Sequence, residues 1–193
     1  MKNILFFSNN KDKIYEVKNL FKKLKYKIIT PKDLDTNFEP KENGKSFVTN
    51  SKVKSLYGFK TTGLPCFADD SGICIEALNW KPNIYSKDFI NSFKNKNECF
   101  KHILKKVKET NKNKAYFITS ICLTLEINHH IVFQGKLEGI INERVIGKEG
   151  FGYDPLFKPN ICSKTLGEMK KEEKNKISHR SIAINKLLSF LSN

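Results

Sequence analysis

The apolar and polar positions fall into blocks whose spacing predicts an α/β chain. Residues 2–8 hold an unbroken apolar run, Ile4 to Phe7, and predict a buried first strand. In "NNKDKIYEVKNLFKKL", Ile14, Val17, Leu20, Phe21 and Leu24 recur at helical spacing, so an amphipathic helix follows. "KYKIIT" predicts a second strand stopped by Pro31, and the polar residues 31–44, with Pro40 and Gly44, predict a loop. Residues 45–60 predict a helix. "LPCFADD" and "GICIEAL" predict two short strands around a turn at Ser71-Gly72. Residues 87–110 predict helix, with Phe100, Ile103, Leu104 and Val107 on one face. Over 115–127, Phe117, Ile121, Leu123, Leu125 and Ile127 share one side of a strand; Asn128-His129-His130 predicts the turn of a hairpin that returns over 131–141. The glycine-rich stretch "GKEGFGYDP" predicts a loop, and Ser178 predicts the N-cap of a last helix through Ile184, Leu187, Leu188 and Leu191. A βαβ start followed by a long hairpin implies a mixed sheet.

Composition narrows this picture. The 193 residues fit one domain, of one or two lobes, and 39% hydrophobic residues with 15 Phe can fill a core. No apolar run approaches the roughly 18 residues of a membrane span, and "MKNILFFSNN" lacks the length and cleavage site of a signal peptide. A cytoplasmic protein with no membrane partner is expected. Cys66, Cys74, Cys99, Cys122 and Cys162 are odd in number and show no C-x-x-C spacing, which predicts reduced thiols rather than a disulfide or zinc framework. The net charge is +15, but 33 of the 35 basic residues are Lys; only Arg144 and Arg180 are Arg. A nucleic-acid surface would draw on Arg and interleaved aromatics, so nucleic acid is not expected as a partner. Small anions, polyphosphates among them, are.

Four stretches carry candidate chemistry. In "FADDSGI", Asp69 and Asp70 stand against apolar residues. Strand neighbours point to opposite faces, so one carboxylate can face a cleft while the other faces inward; a plain β-turn is the alternative. "SNNKDK", residues 8–13, joins a strand to a helix N-terminus, which binds anions or is simply an Asn-capped start. In "GKEGFGYDP", three glycines precede Tyr153 and Asp154, and Phe151 either stacks on a base or packs inward. "EEKNKISHRS" sets Lys174, His179 and Arg180 before the last helix, cations that oppose its dipole unless an anionic or carbonyl-rich ligand sits there. His102, His129 and His130 receive no role.

Taken together, "SNNKDK", "ENGKSFVTNSKVK" (Glu42 to Lys54), "GLPCFADDSGI", "PNIYS", "GFGYDPLF" and "KTLGEMKKEEKNKISHR" resemble, in order and spacing, the motifs of the inosine triphosphate pyrophosphatase family. The matches run from residue 4 past residue 180. Ser8 and Asn9 depart from the family's Thr and Gly, and "LNWKPN" lacks the glycines usual around its Pro. The resemblance implies an elongated mixed β-sheet flanked by helices, Maf-related, with residues 1–193 forming one two-lobed domain around a central active-site cleft, usually as a homodimer. It implies hydrolysis of ITP, dITP and XTP to the nucleoside monophosphate and pyrophosphate, which cleanses the nucleotide pool.

The resemblance also implies roles. Asp70 is the proton acceptor and, with Glu42, holds Mg²⁺ (Mn²⁺ being the alternative); Glu39 is a nearby substitute for Glu42. A carboxylate of ordinary pKa, about 4, is a weak base at neutral pH, so much of the rate is expected from the metal and charge neutralisation. Asp69 tunes the site from behind. Lys13 and Lys54 bind phosphates, helped by the backbone amides of Asn9, Asn10, Lys11 and Asp12, and Ser8 and Ser71 are substrate contacts. Phe151, Gly152, Tyr153 and Asp154 form the base-side loop, while Lys174, His179 and Arg180 read the purine. Cationic donors favour the 6-oxo bases over adenine, whose 6-amino group is itself a donor. Two rivals are a Maf-like nucleotide pyrophosphatase with other substrates and a basic nucleic-acid-binding protein without turnover. The first should lack "ISHR"; the second leaves Asp69, Asp70 and Glu42 unexplained.

Overall fold

The computed structural model describes residues 2–22, 26–34, 40 and 43–192. Among the described residues, seven strands form a mixed sheet: β1 (Lys2–Phe6), β2 (Tyr26–Ile29), β3 (Cys66–Ile75), β4 (Lys81–Pro82), β5 (Lys114–Glu126), β6 (His129–Ile141) and β7 (Phe157–Pro159). Their order is β2-β1-β3-β5-β6-β7, with β4 paired to β3. β1 runs parallel to β2 and β3, whereas β3/β4 and β6/β7 are antiparallel. The helices are α1 (Lys11–Phe21), α2 (Phe47–Thr62), α3 (Ser86–Asn91), α4 (Lys96–Thr110), α5 (Lys171–Ile177) and α6 (His179–Ser192). The α/β class and mixed sheet predicted from the periodicity are therefore observed.

The chain divides into two compact units. The first comprises Met1–Asp70, Thr119–Gly135 and Arg180–Asn193. Its β1 buries both faces, as a continuous apolar run should. Ile4 and Phe6 join Val17, Phe21, Phe67, Ile184 and Leu187 in one cluster, while Leu5 and Phe7 join Ile29, Cys66 and Ala68 in another. Phe67 stacks on Phe6 and Phe21, with ring centroids 4.9 and 5.4 Å apart. α2 lies close to the sheet because Ser51, Ser55 and Gly58 are small and share one face. A methyl group at Gly58 would run into Cys66 Sγ and the Phe7 ring. Ser55 pairs with Thr124 at 2.8 Å, satisfying hydroxyls that the close approach buries.

The second unit comprises Ser71–Ile118 and Lys136–His179. Its core gathers Ile73, Ile75, Cys99, Phe100, Ile103, Phe117, Leu137, Leu156, Phe157, Leu166 and Met169.

Several local expectations are corrected. Ser71-Gly72 is not a turn: β3 runs unbroken from Cys66 to Ile75. The hairpin turn is Ile127-Asn128, and His129 and His130 begin β6. The helix expected over 87–110 is two, and Asn95 caps the second by accepting from Glu98 N. "KEEKNKI" is the separate helix α5, so Lys174 lies inside a helix instead of before one. Lysines break any clean apolar stripe there, which is why periodicity missed it. The cysteines are free thiols, four of them buried. Among the described residues, no helix is long and apolar enough to cross a membrane.

Candidate functional site

In the first unit, the pleat of β3 sends its two aspartates to different helices. Asp69, 2% exposed, meets Lys13 Nζ at 3.1 and 3.0 Å through its two carboxylate oxygens and accepts from Arg180 Nε at 3.2 Å. Arg180 is 1% exposed and also donates through Nη1 to Glu16. Lys13 and Glu16 lie one turn apart on α1, and Arg180 opens α6, so three elements converge on Asp69. Asp70 turns to α2 instead. Asn50 Nδ2 donates to its Oδ2 at 3.0 Å, and Lys54 Nζ stands 3.6 Å from its Oδ1. Asn50 and Lys54 share a helix face at i,i+4 spacing.

The electrostatics follow from this packing. Burial draws the Lys13 pKa below its ordinary value, Asp69 opposes the shift, and Arg180 and Lys54 add to it. Burial also disfavours the Arg180 charge, but Asp69 and Glu16 outweigh that effect and raise its pKa.

The turn before α1 is an Asn-capped helix start. Asn10 Oδ1 accepts from the amides of Asp12 and Lys13 at 3.0 and 3.1 Å, and Ser8 Oγ accepts from Asn10 N at 3.3 Å. The N–H groups of Asn10 and Asp12 are hydrogen-bonded locally, to Ser8 Oγ and Asn10 Oδ1. Lys13 is the cation that the turn presents beside Asp69.

In the second unit, Asp154 organises the glycine-rich loop. Its Oδ2 accepts from Phe151 N at 2.7 Å and from Lys174 Nζ at 2.8 Å, with Asp154 2% and Lys174 3% exposed. The ammonium sits 4.3 Å from the Phe151 ring centroid. Gly150 has φ +71°, and a methyl group there would strike the Asp154 carboxylate. Gly152, at φ +58°, has open space beside it. Tyr153 is a core residue, its hydroxyl donating to Ser86 O at 2.7 Å; burial pushes its pKa up, with Cys99 adding to the shift. His179 stacks on Phe117 at 4.7 Å. Ser71 is half-buried on β3.

The structure thus brings Lys13, Lys54, Asp69, Asp70 and Arg180 together in the first unit, and Phe151, Asp154 and Lys174 in the second. Glu42 and Glu39 lie outside the described residues. Sequence reasoning missed Glu16 and Asn50. Glu16 was legible in principle, since its spacing places it with Lys13, Val17 and Leu20 on the inner side of α1. Asp70 offers a carboxylate, the hard oxygen donor that a divalent ion such as Mg²⁺ takes alongside phosphate oxygens. Among the described residues, no cluster of three or more His, Cys, Asp or Glu is placed to hold a metal. A cavity of about 640 Å³ in the second unit, lined by Leu78, Pro82, Tyr85, Phe89 and Lys106, contains none of the predicted site residues.

Comparisons with known proteins agree with the motif pattern. A model of the Ham1 family matches residues 4–190. A Leptospira interrogans protein described as a dITP/XTP pyrophosphatase is 38% identical over 186 residues, covering 95% of this chain and 94% of that protein. A Borrelia duttonii protein of the same description is 42% identical over 200 residues, covering 99% and 98%. Among solved structures, a HAM1 protein from Coxiella burnetii superimposes with a TM-score of 0.90 at 33% identity, covering 100% of this chain and 99% of its own.

Proposed function

This chain belongs to the Ham1 family, and on that premise we propose that it hydrolyses ITP, dITP and XTP to the nucleoside monophosphate and pyrophosphate. It is a nucleoside triphosphate pyrophosphohydrolase. The observation that carries the reading is the first unit's array: a buried strand carboxylate, Asp70, beside Lys54, with Lys13 held on the neighbouring carboxylate.

The roles are those the family resemblance implies, and the charge and rigidity of the site support them. Asp70 is the proton acceptor that orients the attacking water, and Lys13 and Lys54 take the triphosphate's negative charge. Asp69 fixes Lys13, and Arg180 with Glu16 fixes Asp69. Asp70 with Glu42 would hold Mg²⁺, which supplies Lewis-acid neutralisation of the phosphate charge. Lys174 is a pure donor pinned by Asp154, the character needed to favour a 6-oxo purine over adenine, and Phe151 offers a ring face to the base. The nucleotide pool that such an enzyme cleanses puts its work in the cytoplasm, and the family's usual state makes it a homodimer.

The test is pyrophosphate release from a panel of triphosphates with Mg²⁺. ITP, dITP and XTP should turn over far faster than ATP or GTP. Equal rates on ATP would refute the substrate assignment.

A further inference from the structure

We propose that Asn50 is a positioning residue for Asp70, and that the position occupied by Gly44 must be glycine to leave room for it; the inference rests on the functional reading above. A carboxylate only accepts hydrogen bonds, so the Asn50 amide must turn its NH₂ toward Asp70, and the 3.0 Å contact from Nδ2 to Oδ2 leaves its orientation unambiguous. Asn50 and Lys54 then divide the carboxylate, the amide on Oδ2 and the ammonium beside Oδ1. That division restrains rotation of the group about its own bond.

Two further observations show that the pose is specified. Asn50 is 3% exposed, and its Oδ1, turned away from Asp70, has no hydrogen-bond partner among the described residues. A buried amide half-satisfied in this way is not what stability alone would select. Gly44 lies against that oxygen: a methyl group there would overlap Oδ1 and come within 3.0 Å of Asn50 N and Thr49 Cβ. The amide sits in the first turn of α2, whose Asn50 N–H bonds Ser46 O at 3.0 Å and whose N-cap Ser46 accepts from Thr49 N at 3.1 Å, so it is carried on a rigid element. The spacing from Gly44 to Asn50 is thereby a packing requirement of the Asp70 carboxylate.

Steady-state kinetics on ITP, thermal unfolding, and binding of a non-hydrolysable α,β-methylene ITP test this. Asn50→Ala should lose on the order of 10²-fold in kcat, with KM and analogue affinity within about twofold and the fold retained. Gly44→Ala should lower kcat by displacing the amide, yet add little in the Asn50→Ala background, where the oxygen it would strike is gone. Wild-type kcat in Asn50→Ala overturns the proposal. So do losses that multiply in the double variant; should Asn50→Ala fold poorly, Gly44→Ala alone decides, since wild-type kcat in that folded variant overturns the proposal. Wild-type protein that releases no pyrophosphate from ITP, dITP or XTP overturns the functional reading and this inference with it. Wild-type turnover with an unimpaired Asn50→Ala overturns this inference alone.

Discussion

Asp69 and Asp70 are adjacent on β3, yet Asp69 is locked between Lys13 and Arg180 while Asp70 is held by Asn50 and Lys54. One strand therefore presents two carboxylates to different sets of partners. The pleat alone accomplishes the separation, because consecutive side chains cannot share a face.

Substitutions should divide the pair. Asp70→Asn keeps the size, and its amide oxygen can still accept from Asn50, but it exchanges one acceptor for a donor and cannot take a proton from water. It should cut kcat by about 10²–10⁴-fold at nearly unchanged stability, read from pyrophosphate release and an unfolding curve. Asp69→Asn should cost about 3–5 kcal/mol in chemical denaturation, because it breaks the buried ion pairs that Asp69 makes with Arg180 and Lys13.

Lys13 should set an alkaline limit on triphosphate binding. Burial holds its pKa below the ordinary 10.5 despite Asp69, so it loses its charge at a lower pH than a free lysine. KM for the triphosphate should climb by up to about tenfold per pH unit once that proton leaves. The climb should begin below pH 10.5 and flatten in Lys13→Arg. The linked stability has the opposite sense. In that window the unfolded chain binds more protons than the folded one, so this group's contribution grows as pH rises.

The loop before α3 holds avoidable strain. Asn79, Trp80 and Asn83 have φ of 53°, 61° and 58°, the left-handed region that glycine enters freely. Asn83 stands where the resembling motif has the glycine that follows its Pro. Asn83→Gly should raise stability by up to about 1 kcal/mol, seen as a higher unfolding midpoint. The Asn83 carbonyl that accepts from Ser86 Oγ remains.

Gly150→Ala should damage the second unit's loop without touching the aspartates of β3. The added methyl strikes the Asp154 carboxylate that holds Phe151 N and Lys174. KM for ITP should rise by about tenfold or more, with a smaller change in kcat.

Much of this was legible in the chain, and the failures have physical reasons. α1 announced itself because Ile14, Val17, Leu20 and Phe21 keep a 3.6-residue period. Asp69 and Asp70 were found because charges among apolar residues demand partners. The same charges suggested a break at Ser71-Gly72; the strand runs on because Lys13, Arg180, Asn50 and Lys54 satisfy both carboxylates from opposite faces. The resemblance sets Arg180 with Lys174 and His179 as a reader of the purine, and its buried contacts with Asp69 and Glu16 are a further feature that the motif does not announce. Its burial against Asp69 and Glu16 depends on α6 meeting α1 and β3, a contact between segments over a hundred residues apart that no local pattern encodes. Asn50 stood in a quoted motif without a role, since only the fold brings it to a residue 20 positions away.

The chain's preference for lysine makes Arg180 informative. Arg144 is exposed; Arg180 is the buried one, and it must reach two acids at once. A flat, forked head with five N–H groups can span Glu16 and Asp69, whereas an ammonium would crowd onto one and abandon the other. In a sequence that elsewhere treats positive charge as interchangeable, this one position shows where shape, and not charge, was irreplaceable.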